Sequence, residues 1–284
     1  MKLLRSVSEV RDAVKRARSE GKTIGLVPTM GALHEGHLTL IRQARARCGF
    51  VVVSVFVNPT QFGPREDFAR YPRSLDEDTR KCADAGVDVV FAPRADEVYP
   101  EGFDTWVEVK GLTEVLEGES RPGHFRGVTT VCAKLFNITQ PDYAYFGMKD
   151  YQQLKVIQKM VSDLNLPLEI VPCETVREPD GLAMSSRNAY LGPEERRAAL
   201  ALVRSLRQAR EAFDSGEREA AAIKVQVENL IRAEPRASID YVAIVDAEDL
   251  RPISRLDRPV VVLLAVRIGT TRLIDNLVLD PNAD

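Results

Sequence analysis

No stretch of this sequence is apolar for long enough to cross a bilayer. The longest uninterrupted run is Val260 to Val266, far short of the roughly 20 residues that a membrane helix needs. No export signal is expected at the N-terminus, because Arg5, Glu9, Arg11 and Asp12 break any apolar region there. A basic excess is also missing. Lys and Arg total 39 against 42 Asp and Glu, a formal net charge of −3, which argues against a nucleic-acid partner and against an anionic membrane. Cys48, Cys82, Cys132 and Cys173 form no CxxC pair. Reduced, buried thiols are therefore expected rather than a zinc or disulfide framework. No GxGxxG occurs, which weakens a dinucleotide dehydrogenase. Gly21-Lys22-Thr23 looks like the end of a P-loop, but Arg16 stands where its first Gly belongs and the segment precedes a strand.

What remains is the composition of a globular protein, 44% hydrophobic and 29% charged. Its 284 residues suggest two domains of ordinary size. Ser6 and Glu9 form a capping box ahead of a helical run of Val10, Ala13, Val14 and Ala17, which Gly21 ends. Thr23–Val27, Phe50–Val57 and Val87–Ala92 read as buried strands. Leu38–Cys48 and a segment from a second capping box, Ser74 and Glu77, through Ala85 read as helices. The same alternation resumes with a helix over Gly127–Ile138, a strand over Tyr143–Phe146, a helix over Tyr151–Leu164 and a strand over Leu168–Val171. Strands alternating with helices predict an open parallel α/β sheet over 1–175. Beyond 176 two amphipathic helices precede strands at Ile239–Val245, Val260–Arg267 and Leu273–Leu279. That order predicts a smaller α+β domain over 176–284. Its helical part holds nine Lys/Arg and eight Asp/Glu between Glu194 and Arg236. Such a balance suits a solvated, salt-bridged face and not a basic patch.

The chain has three histidines, and two of them fall in Met30-Gly31-Ala32-Leu33-His34-Glu35-Gly36-His37, between a strand and a helix. Ligands of open α/β sheets bind beyond the carboxyl ends of the strands. A helix starting near Gly36 aims unpaired N–H groups there, which favours a phosphate. His34 and His37 would share one helical face and donate to phosphate oxygens as charge develops. His-x-x-His also suits zinc, which needs a third ligand and an outer shell of hydrogen bonds. Gly147-Met148-Lys149-Asp150 repeats the strand-to-helix turn and offers a cation. Met184-Ser185-Ser186-Arg187 adds two hydroxyls and a guanidinium in a loop between the domains. These groups suit a triphosphate whose pyrophosphate must leave.

Long segments carry a more specific signal. VPTMGALHEGH, SVFVNPTQFGPREDFARYPRSLDED, RPGHFRGVTTV, FGMKDYQQL and TVREPDGLAMSSRNAYL resemble, in this order, the pantothenate synthetase (pantoate–β-alanine ligase) family. The resemblance implies a Rossmann-like N-terminal domain with a smaller C-terminal lid, usually as a homodimer in the cytoplasm. It also implies two steps: pantoate attacks ATP to give pantoyl adenylate, with Mg²⁺ assisting, and β-alanine then displaces AMP. By the same resemblance Met30 to His37 line the ATP site, with His37 as the assigned proton donor and His34 beside it. Gly147, Met148, Lys149, Asp150 and the backbone of Val176 contact ATP. Met184, Ser185, Ser186 and Arg187 close over its phosphates. Gln61 and Gln153 hold pantoate, and His124 lies close to the substrates. Gln61 and Gln153 offer donors and acceptors without charge.

Mg²⁺ is expected to sit mainly on phosphates and waters, with one or two carboxylates. Asp78 and Glu77, beside Asp76, are the candidates, although some relatives carry glutamine where Lys81 stands. Three other readings stay open at this level: a transferase that joins AMP to a phosphate, a non-catalytic nucleotide sensor, and a tRNA-charging fragment. The first does not need Gln61 and Gln153. The second does not need His37, Lys149 and Arg187 together. The third needs RNA-binding surface that neither length nor charge provides.

Overall fold

A computed structural model describes residues 1–64 and 66–282. Its chain forms two compact units, one of 1–148 with 153–174 and the other of 149–152 with 175–284.

The first unit runs β1 (Lys2–Leu4), α1 (Val7–Ser19), β2 (Ile24–Thr29), α2 (Glu35–Arg47), β3 (Phe50–Val55), α3 (Leu75–Asp84) and β4 (Val89–Phe91). Two one-turn helices, α4 (Ala95–Val98) and α5 (Glu117–Ser120), precede α6 (His124–Thr139), β5 (Tyr143–Gly147), α7 (Tyr151–Asp163, whose first two residues group with the other unit) and β6 (Glu169–Cys173). The six strands are parallel, in the order β1-β4-β3-β2-β5-β6. The chain therefore builds outward from β2 to one edge, then returns to add β5 on the other side. That reversal places a topological switch point between β2 and β5, where open α/β sheets bind ligands. The β2–β5 ladder pairs only Gly25 with Tyr143 and Leu26 with Ala144. Pro28 lies just beyond and has no N–H to continue it, so the two strands are not laddered at their carboxyl ends.

The core follows from strands buried on both faces. Ile24, Leu26, Val27, Val51, Val52 and Val53 are all fully buried, and each contributes on the order of 1.5–3 kcal/mol by leaving water. The Ser6–Glu9 capping box forms as expected. The Ser74–Glu77 box does not: Ser74 makes no cap bond, and Glu77 turns to Lys81 at 2.7 Å. α6 starts at His124 behind Gly123 in a left-handed conformation, earlier than its expected start at Gly127. β1 escaped the sequence reading because three residues at a sheet edge carry no periodicity.

The second unit contains α8 (Pro193–Asp214), α9 (Ala220–Arg232), β7 (Ala237–Asp246), β8 (Val260–Ile268) and β9 (Thr271–Leu279). The strands form an antiparallel sheet in the order β7-β8-β9. Leu202, Leu206, Ile223, Val227 and Ile231 of the two helices share one core with Val260, Val262, Leu264 and Val266. Among the described residues no helix is long and apolar enough to cross a membrane.

Candidate active site

The loop after β2 is shaped by two consecutive residues in the left-handed region, Gly31 at φ 84° and Ala32 at φ 50°. Alanine there carries strain that its surroundings must offset. Three side chains do so. Thr29 Oγ1 accepts from Gly31 N–H at 3.1 Å and donates to the Ser54 carbonyl at 2.6 Å. Asp78, fully buried at the start of α3, accepts from Ala32 N–H at 2.9 Å and Leu33 N–H at 2.7 Å, one on each carboxylate oxygen. Lys81 Nζ donates to the Leu33 carbonyl at 2.6 Å. Leu33 itself is 2% exposed, so its side chain anchors the loop in the core. Glu35 pairs with Arg42.

His34 and His37 cap α2 reciprocally. His34 Nδ1 accepts from Gly36 N–H at 3.2 Å, and His37 Nδ1 accepts from His34 N–H at 3.3 Å. The rings lie 4.1 Å apart between centroids. A backbone N–H can only donate, so both Nδ1 atoms are unprotonated and each proton sits on Nε2. Two imidazole donors are thus oriented at a helix N-terminus, where an anion is favoured.

The loop after β3, next to β2 in the sheet, turns through a 3₁₀ segment at Pro59–Gln61. Gln61 is buried at 8% exposure, with Nε2 3.1 Å from Met30 Sδ and Oε1 3.0 Å from Asn58 Nδ2. Asn58, 1% exposed, also donates to the Gly127 carbonyl at 3.1 Å and accepts from Thr60 and Tyr99. α6 packs so closely here that a Cβ on Gly127 would lie 2.4 Å from the Thr60 carbonyl oxygen. Only glycine fits at this position.

His124 grips the same turn from the first residue of α6. Its Nδ1 lies 2.8 Å from the Gln61 carbonyl and its Nε2 lies 3.1 Å from Arg121 Nη1. Arginine only donates, so Nε2 accepts and Nδ1 carries the proton. This is the opposite tautomer to that of His34 and His37. Arg121 is held in turn by both oxygens of Glu66 at 2.7 Å. Burial, with Arg121 beside it, pushes the His124 pKa down from 6.5 to about 4, against the pull of the Gln61 carbonyl, Glu66 and Glu117.

A base whose folded pKa is depressed stabilises the fold above its unfolded value and loses that contribution as pH falls from about 6.5 towards 4. Full loss amounts to about 3 kcal/mol. Unfolding free energies from denaturant titration at pH 7 and pH 4.5 should therefore differ by about 2–3 kcal/mol less in His124→Asn than in the parent protein. Equal acid sensitivity of the two proteins would contradict a neutral His124.

Gly147 ends β5, and the chain passes through Met148 into Lys149. Gln153, the other expected pantoate ligand, is half-buried in the first turns of α7. In the second unit, Lys149 Nζ is 3.7 Å from Asp150, and the Lys149 carbonyl accepts from Asn276 Nδ2 at 2.8 Å. The Val176 carbonyl accepts from Met184 N–H at 2.9 Å, across a bridge between Arg177 and Ala183. Ser185 caps the 3₁₀ segment Ser186–Tyr190 by accepting from Arg187 N–H at 3.3 Å. The loop is braced by Glu178, which takes Asn188 at 2.8 Å and Arg196 at 2.9 Å.

Hydrogen bonds thus bring Met30, Gln61 and His124 together, and separately join His34 to His37. The sequence reading missed Asn58, Tyr99, Arg121 and Glu66. Asn58, Glu66 and Arg121 lie inside the family-like segments, but an asparagine before proline reads as an ordinary turn.

The model of the pantoate–β-alanine ligase family matches residues 2–278. The chain belongs to this family. A pantothenate synthetase of Moorella thermoacetica is 59% identical over 282 residues, covering 99% of this chain and 100% of that protein. One from Geobacter sulfurreducens is 56% identical over 279 residues, covering 98% and 99%. The crystal structure of pantothenate synthetase from Thermus thermophilus superposes with a TM-score of 0.94 at 50% identity, covering 98% of this chain and 99% of that one. The pantoate–β-alanine ligase of Francisella tularensis, solved with beta-gamma ATP and β-alanine, gives a TM-score of 0.80 at 35% identity, covering 98% and 97%. Membership of the ligase family sets aside the dinucleotide-forming transferase, the sensor and the tRNA-charging fragment.

Proposed function

We propose that this ligase-family chain condenses pantoate with β-alanine at the expense of ATP, releasing AMP and pyrophosphate. The observation that carries the reading is the reciprocal His34–His37 cap, which orients two Nε2 donors beside the switch point between β2 and β5. A pantoate carboxylate oxygen bonds to the α-phosphorus of ATP as the bridge to the β-phosphate breaks. The Nε2–H groups of His34 and His37 meet the charge that grows on the phosphate oxygens, an interaction worth most in the transition state. Lys149 and Arg187 serve the phosphates as a point charge and a planar donor, and Ser185 and Ser186 add two hydroxyls. In the second step the amine of β-alanine attacks the pantoyl carbonyl carbon, the bond to AMP breaks, and the amine loses a proton.

Gln61 is the pantoate ligand this reading rests on, with Gln153 and His124 as its companions. Asn58 holds the Gln61 oxygen, so the amide cannot flip and its nitrogen stays beside Met30. Gln61→Ala should raise the pantoate KM by about 10- to 100-fold, the scale of a hydrogen bond to a charged group, and leave ATP affinity nearly unchanged. Pantoate-dependent exchange of pyrophosphate into ATP, measured against each substrate, checks this. Equal weakening of both substrates would show that the pocket is wrongly assigned.

We assign Asp78 to the β2 loop and Glu77 to Lys81, not to a metal. Asp78 has both oxygens on backbone N–H groups, and Glu77 pairs with Lys81 at 2.7 Å. These carboxylates do not fit a protein-held Mg²⁺, which on this reading arrives on the phosphates of ATP. Four buried cysteines without a bridge suit a reducing cytoplasm, and a homodimer is the assembly we expect.

A further inference from the structure

The turn Lys149–Gln152 belongs to the same compact unit as 175–284, although the chain before and after it belongs to the other. Two neighbouring residues of β9 hold different segments of this unit. Asn276, 6% exposed, donates from Nδ2 to the Lys149 carbonyl at 2.8 Å. Asp275, 1% exposed, takes both guanidinium nitrogens of Arg177, at 2.7 and 2.9 Å. Arg177 donates onward to the Gly181 carbonyl at 3.1 Å, at the base of the loop that carries Met184 to Arg187. Successive residues of a strand send side chains to opposite faces. One step of β9 therefore grips two segments that are far apart in sequence. Tyr151 adds a further tie, donating to the Ala247 carbonyl at 2.8 Å.

We propose that Asp275 and Asn276 are positioning residues that hold Lys149 and the Ser185-Ser186-Arg187 loop in one fixed mutual arrangement, so that the cations for the triphosphate act as a set. The inference rests on the assignment of Lys149 and Arg187 to the ATP phosphates. The physical need is clear. A lysine on a flexible stem is a mobile point charge, and its reach is set by where its backbone is held. Misplacing a positioning group by about 1 Å can cost on the order of 100-fold in rate. Asn276 fixes the Lys149 peptide without touching its ammonium. Asp275 fixes the base of the serine–arginine loop through Arg177, with the carboxylate buried and the guanidinium partly exposed.

The test is a double-mutant cycle read in pantoate-dependent pyrophosphate exchange. Asn276→Ala should lower the exchange rate by about 10-fold or more, mainly in kcat. In a Lys149→Ala background the same change should cost less than about 2-fold, because the group it positions is gone. Asn276→Gln, which keeps an amide donor, should recover part of the rate. Multiplicative losses in the cycle would overturn the inference, since they would mean that Asn276 acts independently of Lys149. An Asn276→Ala enzyme within about 2-fold of the parent would overturn it as well. A silent Lys149→Ala would remove the phosphate role of that lysine and the inference with it, an outcome distinct from the other two. Should Asn276→Ala not fold, Asp275→Asn in place of it, cycled against Arg187→Ala, is read in the same way.

Discussion

Replacing His37 with alanine is expected to slow formation of the adenylate by about 100-fold or more, the scale of a lost transition-state donor. His37 does two things in this structure. Its Nδ1 accepts the His34 N–H at 3.3 Å, which completes the cap of α2. That bond leaves the proton on Nε2, where it can donate. His37→Ala removes both functions, so a second variant separates them. His37→Asn keeps an acceptor near the Nδ1 position but loses the donor. It should therefore retain most of the stability and still lose most of the rate. Single-turnover formation of pantoyl adenylate measures the chemical step without product release. Near-normal single-turnover rates in His37→Ala would remove the residue from the chemistry and leave it as a helix cap.

Asp78→Ala should be the most damaging substitution outside the histidine pair. It would orphan the N–H groups of Ala32 and Leu33 beside two residues held at positive φ. Each unpaired N–H shielded from water costs about 1–3 kcal/mol, so a loss of about 2–6 kcal/mol in unfolding free energy is expected together with weakened ATP binding. Asp78→Asn preserves the shape and one acceptor and should fall between. Denaturant unfolding without any divalent ion, paired with ATP titration, checks both variants. A metal ligand would behave differently. Its loss would leave the stability of the metal-free protein unchanged, and excess Mg²⁺ would restore binding.

The carboxylate of Asp78 also shows where sequence reading stops. An acid in the first turn of a helix looks like a solvated residue or a metal ligand, because the groups it serves lie 45 and 46 residues earlier in the chain. Strands such as Phe50–Val55 and Val260–Ile268 were legible because burial on both faces writes a continuous apolar run. The loop after β2 stood out as a candidate site because two of three histidines sit at a helix start. The support behind these residues was not legible. Asn58 is satisfied by Tyr99 and Gly127 from distant segments. Gly127 looked like a helix start and proved to be a point of close approach inside α6. Asp275 and Asn276 sit in a strand whose alternation hides them, since the buried acid there is paired with Arg177, 98 residues earlier in the chain. Local pattern reveals elements and loops, whereas the partners of buried polar groups are set by tertiary contacts.

The most direct test is to incubate the purified protein with ATP, Mg²⁺ and pantoate, with and without β-alanine, and to identify every nucleotide and acid product. AMP, pyrophosphate and pantothenate should form together only when β-alanine is present, and pantoyl adenylate should be trapped on the enzyme when it is absent. Formation of ADP and phosphate, or no pantoate-dependent turnover in a protein that binds ATP, would contradict the account.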